Sequence, residues 1–487
     1  MESMNNQTQL VHKSATEIAK IVRERQASVV EIVQAHLNHI KHHNPTIKAI
    51  NLILEQEALS AAKVADEALV KNSSKVGLLH GVPITLKDAI NVAGVKTTLG
   101  MPQYRNYIPK KDAEVVSRLK DAGAILLGRT AVPIACWDFN CRNPIYPETL
   151  NPWDRSRTPG GSSGGAAASI AAGFAPLDLG SDLAGSIRIP AHCCGVYGLR
   201  TTDGLLNIQD GWPEDFKETA ENLVVCGPMA RNIADLQLML KVLQPEYGKS
   251  VEPVPNTLRI GYTEDMLDVS PDAGTKSCIS NFLEKLRQDG HHVVSTKGPE
   301  VDLEECLESW GNVGGFEFKK TLPQILRIPP FSTLLLLYFD QWRFGGGPLA
   351  NYHIKGFYSS DHDHQRALEI LSEIRRIVSN FFRQFDVWIL PILPIPAFER
   401  TNFNRFFKIH GERKVYSSFL GTYNCTTAVM GTPGLAIPIG FSDGMPIGIQ
   451  VHSRAFSDFW LLKIAEQHFE KHAELKWPNG FGPPSNP

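Results

Sequence analysis

Gly160-Gly161-Ser162-Ser163-Gly164-Gly165, with Leu179-Gly180-Ser181-Asp182-Leu183-Ala184-Gly185-Ser186-Ile187-Arg188-Ile189-Pro190 downstream of it, decides how the chain is read. Four glycines around two serines permit backbone geometry that other residues resist, and they clear space around the hydroxyls. Alone, the first stretch reads as readily as a flexible linker or a helix N-cap as it does as a chemical site. A P-loop phosphate cradle needs a lysine after its glycines, and none follows here. Gly160-Gly161-Ser162-Ser163-Gly164 matches the letters of a nucleophile elbow. That elbow follows a strand directly. Here the preceding residues are Trp153-Asp154-Arg155-Ser156-Arg157-Thr158-Pro159, the end of a polar segment, 143–159, that carries four prolines.

Working outward, the apolar spacing predicts helices over 15–43 (closed by Pro45), 55–70, 112–122, 166–172, 275–288, 366–385 and 458–470. Short runs rich in β-branched residues predict strands over 81–86, 124–127, 258–262, 293–295, 387–390 and 434–439. This alternation argues for an α/β protein with a large, mostly buried sheet. No internal repeat or compositional linker divides the chain. Residues 300–360 are rich in aromatics, among them Trp310, Phe316, Phe318, Phe331, Tyr338, Phe339, Trp342 and Phe344, and are the expected variable region. The tail from Trp477 is Gly/Pro-rich and expected to be irregular.

The 487 residues include 49 basic and 51 acidic side chains, a formal charge of −2, which excludes a strongly basic nucleic-acid surface. No apolar run approaches the roughly 20 residues that span a bilayer, the longest being 334–339. Residues 1–10 are polar and lack the apolar core of a secretion signal. Eight cysteines are too few for a disulfide scaffold in a chain this long. A cytoplasmic enzyme with reduced thiols is expected.

Together with Gly81-Val82-Pro83-Ile84-Thr85-Leu86-Lys87-Asp88 upstream, the two loops resemble the amidase signature family. Thr158-Pro159, Gly195-Val196-Tyr197-Gly198-Leu199, Gly227-Pro228-Met229-Ala230-Arg231, Gly431-Thr432-Pro433-Gly434 and Pro446-Ile447-Gly448 extend the resemblance over roughly 15–470. The resemblance implies one large α/β domain over 1–487, a mixed and mostly buried β-sheet enclosed by helices. Within it, 300–360 would be the variable substrate-pocket region and 477–487 an irregular tail.

The implied activity is a serine amidohydrolase acting on linear C–N amide bonds, of an aryl or alkyl amide, through an acyl-enzyme on Ser186. Lys87 would be the base, and Ser162, whose peptide bond is cis in the family, would pass the proton between them. A serine hydroxyl is a weak nucleophile until a base takes its proton. A lysine can be that base only when burial lowers its pKa from about 10.4 toward neutrality, and Val82, Pro83, Ile84 and Leu86 surround Lys87 in sequence. The backbone N–H groups of Leu183, Ala184, Gly185 and Ser186 would face the developing oxyanion, each donor worth about 100- to 1000-fold in rate. Ala184 stands where the family usually has glycine. Its Cβ is tolerable at negative φ, whereas positive φ would cost about 1–2 kcal/mol. Asp182 and Arg188 read as scaffold.

Cys136, Trp137, Trp212, Trp310 and the stretch 331–344 are expected to line an apolar pocket. Cys193 and Cys194 should pack behind the loop as small hydrophobes. His36, His39 and His43 share a helical face, and His362 and His364 alternate with Asp361 and Asp363; both groups read as solvated faces rather than metal sites. No cofactor and no metal are implied. The expected partner is a small-molecule amide, with no nucleic acid and no membrane, and a homodimer is compatible with the reading. The alternative function is the amidase subunit of a tRNA-dependent amidotransferase, releasing ammonia from glutamine and acting with partner chains. A catalytically silent binding protein is a third option, against which the intact Lys87, Ser162 and Ser186 argue.

Overall fold

The computed structural model describes residues 9–483 apart from 72–74, 214–222, 248–250, 323, 337–345, 401–405 and 410. Eleven strands form its central sheet: β1 (Ile50–Ile53), β2 (Pro83–Lys87), β3 (Ile125–Thr130), β4 (Leu177–Asp182), β5 (Tyr197–Arg200), β6 (Val225–Ala230), β7 (Arg259–Tyr262), β8 (His292–Ser295), β9 (Val387–Pro391), β12 (Gly434–Ser442) and β13 (Met445–His452). Two more, β10 (Phe406–Ile409) and β11 (Glu412–Val415), make a separate hairpin. The order across the sheet is β1-β3-β2-β4-β6-β5-β12-β13-β9-β7-β8. Strands β3, β2 and β4 run parallel, as do β9, β7 and β8, and the strands between are antiparallel. The architecture is thus a single α/β domain with a large mixed sheet, as expected. One hydrophobic core runs through it, from Ala15 near one end of the chain to Phe481 near the other.

Burial on both faces of the sheet explains the strand sequences. Strand β2 is buried at every position, so it reads as a continuous run (Pro-Ile-Thr-Leu-Lys) rather than an alternating one. The same burial hid four strands from periodicity: β4, β5, β6 and β13 are buried at every position, and glycines interrupt them.

Other expectations are corrected. The helix expected over 15–43 is two helices, Ala15–Arg23 and Val29–Ile47. Ser28 and Glu31 form a capping box that starts the second one, as Ser14 and Glu17 do for the first. Pro45 lies inside the second helix, which ends at Lys48 in the left-handed conformation. In the aromatic region 300–360, for which no elements were expected from spacing, the described residues form the helices Leu303–Lys320, Phe331–Leu336 and Pro348–Phe357. Among the described residues no helix is long and apolar enough to cross a membrane.

The buried helix Gly164–Ala171 carries the Gly/Ser loop into the sheet layer. The Gly165 N–H donates to the carbonyl of Ala131, just past β3 (3.1 Å), and a Cβ at residue 165 would lie 2.2 Å from the Ala131 nitrogen. Only glycine allows this approach. Gly165→Ala is expected to destabilise the protein by about 1–3 kcal/mol or more, as overpacking against backbone does, read as a lowered urea midpoint with an unchanged slope.

Candidate active site

Strands β2 and β4 are parallel and in register, Leu86 opposite Leu179, so their C-terminal ends emerge at one edge of the sheet. Lys87 ends β2, and Ser181 and Asp182 end β4. The Lys87 side chain is fully buried. Its Nζ lies 2.7 Å from Oγ of Ser162 and 2.9 Å from Oγ of Ser181, and it donates to the Ser181 carbonyl at 3.2 Å. Burial pushes the Lys87 ammonium below its ordinary value, against an upward pull from Cys136, Asp182, Cys141 and Asp178. Behind it, burial raises the Asp178 carboxyl to about 6, although hydroxyls of Thr85 and Thr130 donate to it.

Ser162 follows a cis Gly161–Ser162 peptide bond. The next residue ties the two loops together: the Ser163 N–H donates to the carbonyl of Ser186 at 3.0 Å. Asp182 holds the second loop. One carboxylate oxygen accepts from the Gly185 N–H (2.8 Å), the other from the Ile187 N–H (3.0 Å), and both accept from the Arg188 guanidinium (3.1 and 3.0 Å). Arg188 also donates to Thr427, Gln450 and the Asn424 carbonyl. Burial alone would raise the Asp182 carboxyl; the Arg188 pair, then Arg200 and the Ile187 N–H, outweigh it and hold it below the usual carboxylate range.

Within this turn the left-handed position belongs to Gly185, at φ 98°, and not to Ala184. A Cβ at residue 185 would sit 2.6 Å from Cγ of Asn424. The Ala184 side chain therefore brings no backbone strain. Of the four expected oxyanion donors, the Gly185 N–H is taken by Asp182, while those of Leu183, Ala184 and Ser186 have no acceptor among the described residues.

Ser186 lies where two lobes of a cavity meet. Cys136, Trp137, Leu183 and Ser186 line both. Phe139, Trp310, Leu349 and Ala350 make the first lobe mainly apolar. Ser162, Ser181, Trp212, Glu317 and Phe318 line the second. Trp137 stacks on Trp310 (5.9 Å between centroids) and on Phe318 (5.6 Å), and the Trp310 indole donates to the Leu183 carbonyl at 3.2 Å. All four residues expected to touch substrate are thus gathered around Ser186. Of the stretch 331–344, none of 331–336 lines the cavity, Phe331 and Leu334 being exposed at 47% and 63%, and 337–344 lie outside the described residues.

Sequence reasoning missed Ser181, Glu317, Phe139, Leu349 and His353. Ser181 lies inside a quoted motif. Glu317 had only the weak signal of an acid among aromatics. His362 is exposed together with Asp361 and Asp363, as expected, whereas His36, His39 and His364 are packed rather than solvated. His36 and His39 bond to the carbonyls of Phe174 and Ala172, and burial lowers them to about 3 and about 4. His364 is buried and stacked on Phe316 at 4.1 Å. Cys193 and Cys194 are buried behind the loop, the latter donating to the Pro159 carbonyl at 3.4 Å.

A family model for amidases matches residues 31–462. The chain belongs to the amidase family. It is a hydrolase of carboxylic C–N amide bonds. Curated relatives include a glutamyl-tRNA(Gln) amidotransferase subunit of Thermoanaerobacter pseudethanolicus, 30% identical over 92% of this chain and 94% of that one. Its counterpart from Moorella thermoacetica is 30% identical over 95% and 98%. Among solved structures, an inhibitor-bound chain of a vestigial complex that reveals the evolutionary origins of an s-triazine catabolic enzyme superimposes with a TM-score of 0.79 at 26% identity, covering 95% of this amidase and all of that chain. A 6-aminohexanoate cyclic dimer hydrolase gives 0.79 at 24% identity, over 96% and 99%, a likeness of fold.

Asp182→Asn leaves the buried Arg188 without its counter-charge. A loss of about 3–5 kcal/mol of stability is expected, measured by urea denaturation.

Proposed function

We propose that this amidase hydrolyses its substrate through an acyl-enzyme on Ser186, with Lys87 as base and Ser162 as proton relay. The observation that carries the reading is the buried Lys87 amine 2.7 Å from the Ser162 hydroxyl. The neutral amine takes the Ser162 proton as Ser162 takes that of Ser186, whose oxygen bonds to the amide carbon. The N–H groups of Leu183, Ala184 and Ser186 receive the negative charge on the former carbonyl oxygen. The proton returns through Ser162 to the nitrogen, the C–N bond breaks, and the amine leaves. Water, deprotonated along the same route, then splits the Ser186 ester and releases the carboxylic acid.

The lining of the first lobe favours an aryl or alkyl amide, with the aromatic and aliphatic walls of Trp137, Phe139, Trp310 and Leu349 against the acyl group. The names of the curated relatives favour the alternative more strongly, glutamine hydrolysis as the amidase component of an amidotransferase, with partner chains. The purified chain alone, given glutamine, hexanamide and an acyl anilide, separates them. Amine release from the anilide or hexanamide without partners supports the first reading. Release from glutamine only, or only with amidotransferase partners present, supports the second. A cytoplasmic setting belongs to the same proposal, and all eight cysteines are free thiols.

A phosphonofluoridate probe should label Ser186, read by peptide mass spectrometry; an adduct on Ser162 would overturn the assignment. Lys87→Ala is expected to abolish labelling while circular dichroism is retained. Because the base must be neutral, the labelling rate should fall as pH drops through the lowered Lys87 pKa. A rate that is flat, or that rises on acidification, would remove Lys87 from the role.

A further inference from the structure

The two lobes differ in one respect that bears on the direction of the substrate. Ser162 and Ser181 line the second lobe and not the first. In the proposed relay the proton for the departing nitrogen comes from Ser162, so the amine must leave on that side. The apolar first lobe then holds the acyl group.

The second lobe is not uniformly apolar. Glu317, only 3% exposed, contributes a carboxylate from the helix Leu303–Lys320. Trp212 contributes a buried indole N–H that has no acceptor among the described residues. Trp137 and Phe318 supply ring faces beside them. A carboxylate has about four acceptor positions, so an internal donor to Glu317 leaves capacity for a ligand. Carboxylate and aromatic faces together suit an ammonium or another N–H donor.

We propose that the second lobe is the leaving-amine subsite, and that Glu317 makes it selective for amides whose amine side carries a second, protonated nitrogen. Glu317 is a specificity residue here and takes no part in bond making. The inference rests on the aryl- or alkyl-amide reading of the site. Gly314 offers a second handle on the lobe. A Cβ built there meets only the Trp137 ring, at 3.9 Å, so a larger side chain would extend into the lobe without meeting backbone.

The test compares kcat/KM of the full chain for hexanamide, N-propylhexanamide and N-(2-aminoethyl)hexanamide, with the released amine followed by mass spectrometry. The aminoethyl amide is expected to exceed its propyl counterpart by about 10- to 100-fold, the size of a hydrogen bond to a charged group. Glu317→Gln should bring that ratio close to one. Gly314→Leu should lower both N-substituted amides relative to hexanamide, which tests the placement of the amine in this lobe even if Glu317→Gln does not fold. Equal wild-type values for the two N-substituted amides, a ratio unchanged in Glu317→Gln, or N-substituted amides unaffected by Gly314→Leu, would overturn the inference. Turnover of hexanamide without the preference sinks this inference alone; no turnover of any of the three, with Ser186 unlabelled by the probe, sinks the parent reading as well.

Discussion

Everything at this site depends on one buried amine. Lys87 is brought to the end of β2 by a strand that is buried at every position, and the sheet gives its Nζ three oxygens of two serines as neighbours. None of the three carries a formal charge. Desolvation penalises the charged form, and no carboxylate is in contact with the amine, so burial outweighs the upward pull of Asp182 and Asp178. Asp182, a candidate counter-ion on β4, is turned to Arg188 and to the backbone N–H groups of Gly185 and Ile187. The same carboxylate therefore shapes the Ser186 turn and makes no hydrogen bond to the lysine.

The turn itself is over-determined. Arg188 reaches from Asp182 to Thr427, Gln450 and Asn424, side chains and backbone supplied by residues more than two hundred positions away in sequence. Ser163 fastens the turn to the Gly/Ser loop from the other side. Trp310 adds a third tether, at the Leu183 carbonyl, from the helix that also supplies Glu317. The loop proposed to bind the oxyanion thus shares its support with the walls of the cavity. A substitution in the aromatic region can accordingly act on rate as well as on substrate choice.

Much of this was legible in the sequence. Glycines and serines at 160–165, the motif around Ser186 and the Lys87 run pointed to the site directly, and Cys136, Trp137, Trp212 and Trp310 all line its cavity. What stayed hidden has physical reasons. Strands buried on both faces lose the period-two signal, so β4, the strand that carries Ser181 and Asp182, could not be seen. A restart such as Ser28 to Glu31 breaks a helix that the apolar spacing alone would continue. Which of the proposed oxyanion donors is occupied depends on where the Asp182 side chain turns, and no spacing rule encodes that. The shared core from Ala15 to Phe481 shows how distant segments merge into one domain.

The central claim is that Lys87 is an uncharged amine in the working enzyme. An NMR titration of isotopically labelled lysine side chains, with the Lys87 signal assigned by its absence in Lys87→Arg, measures this directly. The account predicts that Lys87 titrates well below the other lysines and is neutral in the range where the enzyme acylates. A Lys87 ammonium that persists to the pH at which the surface lysines titrate would contradict it.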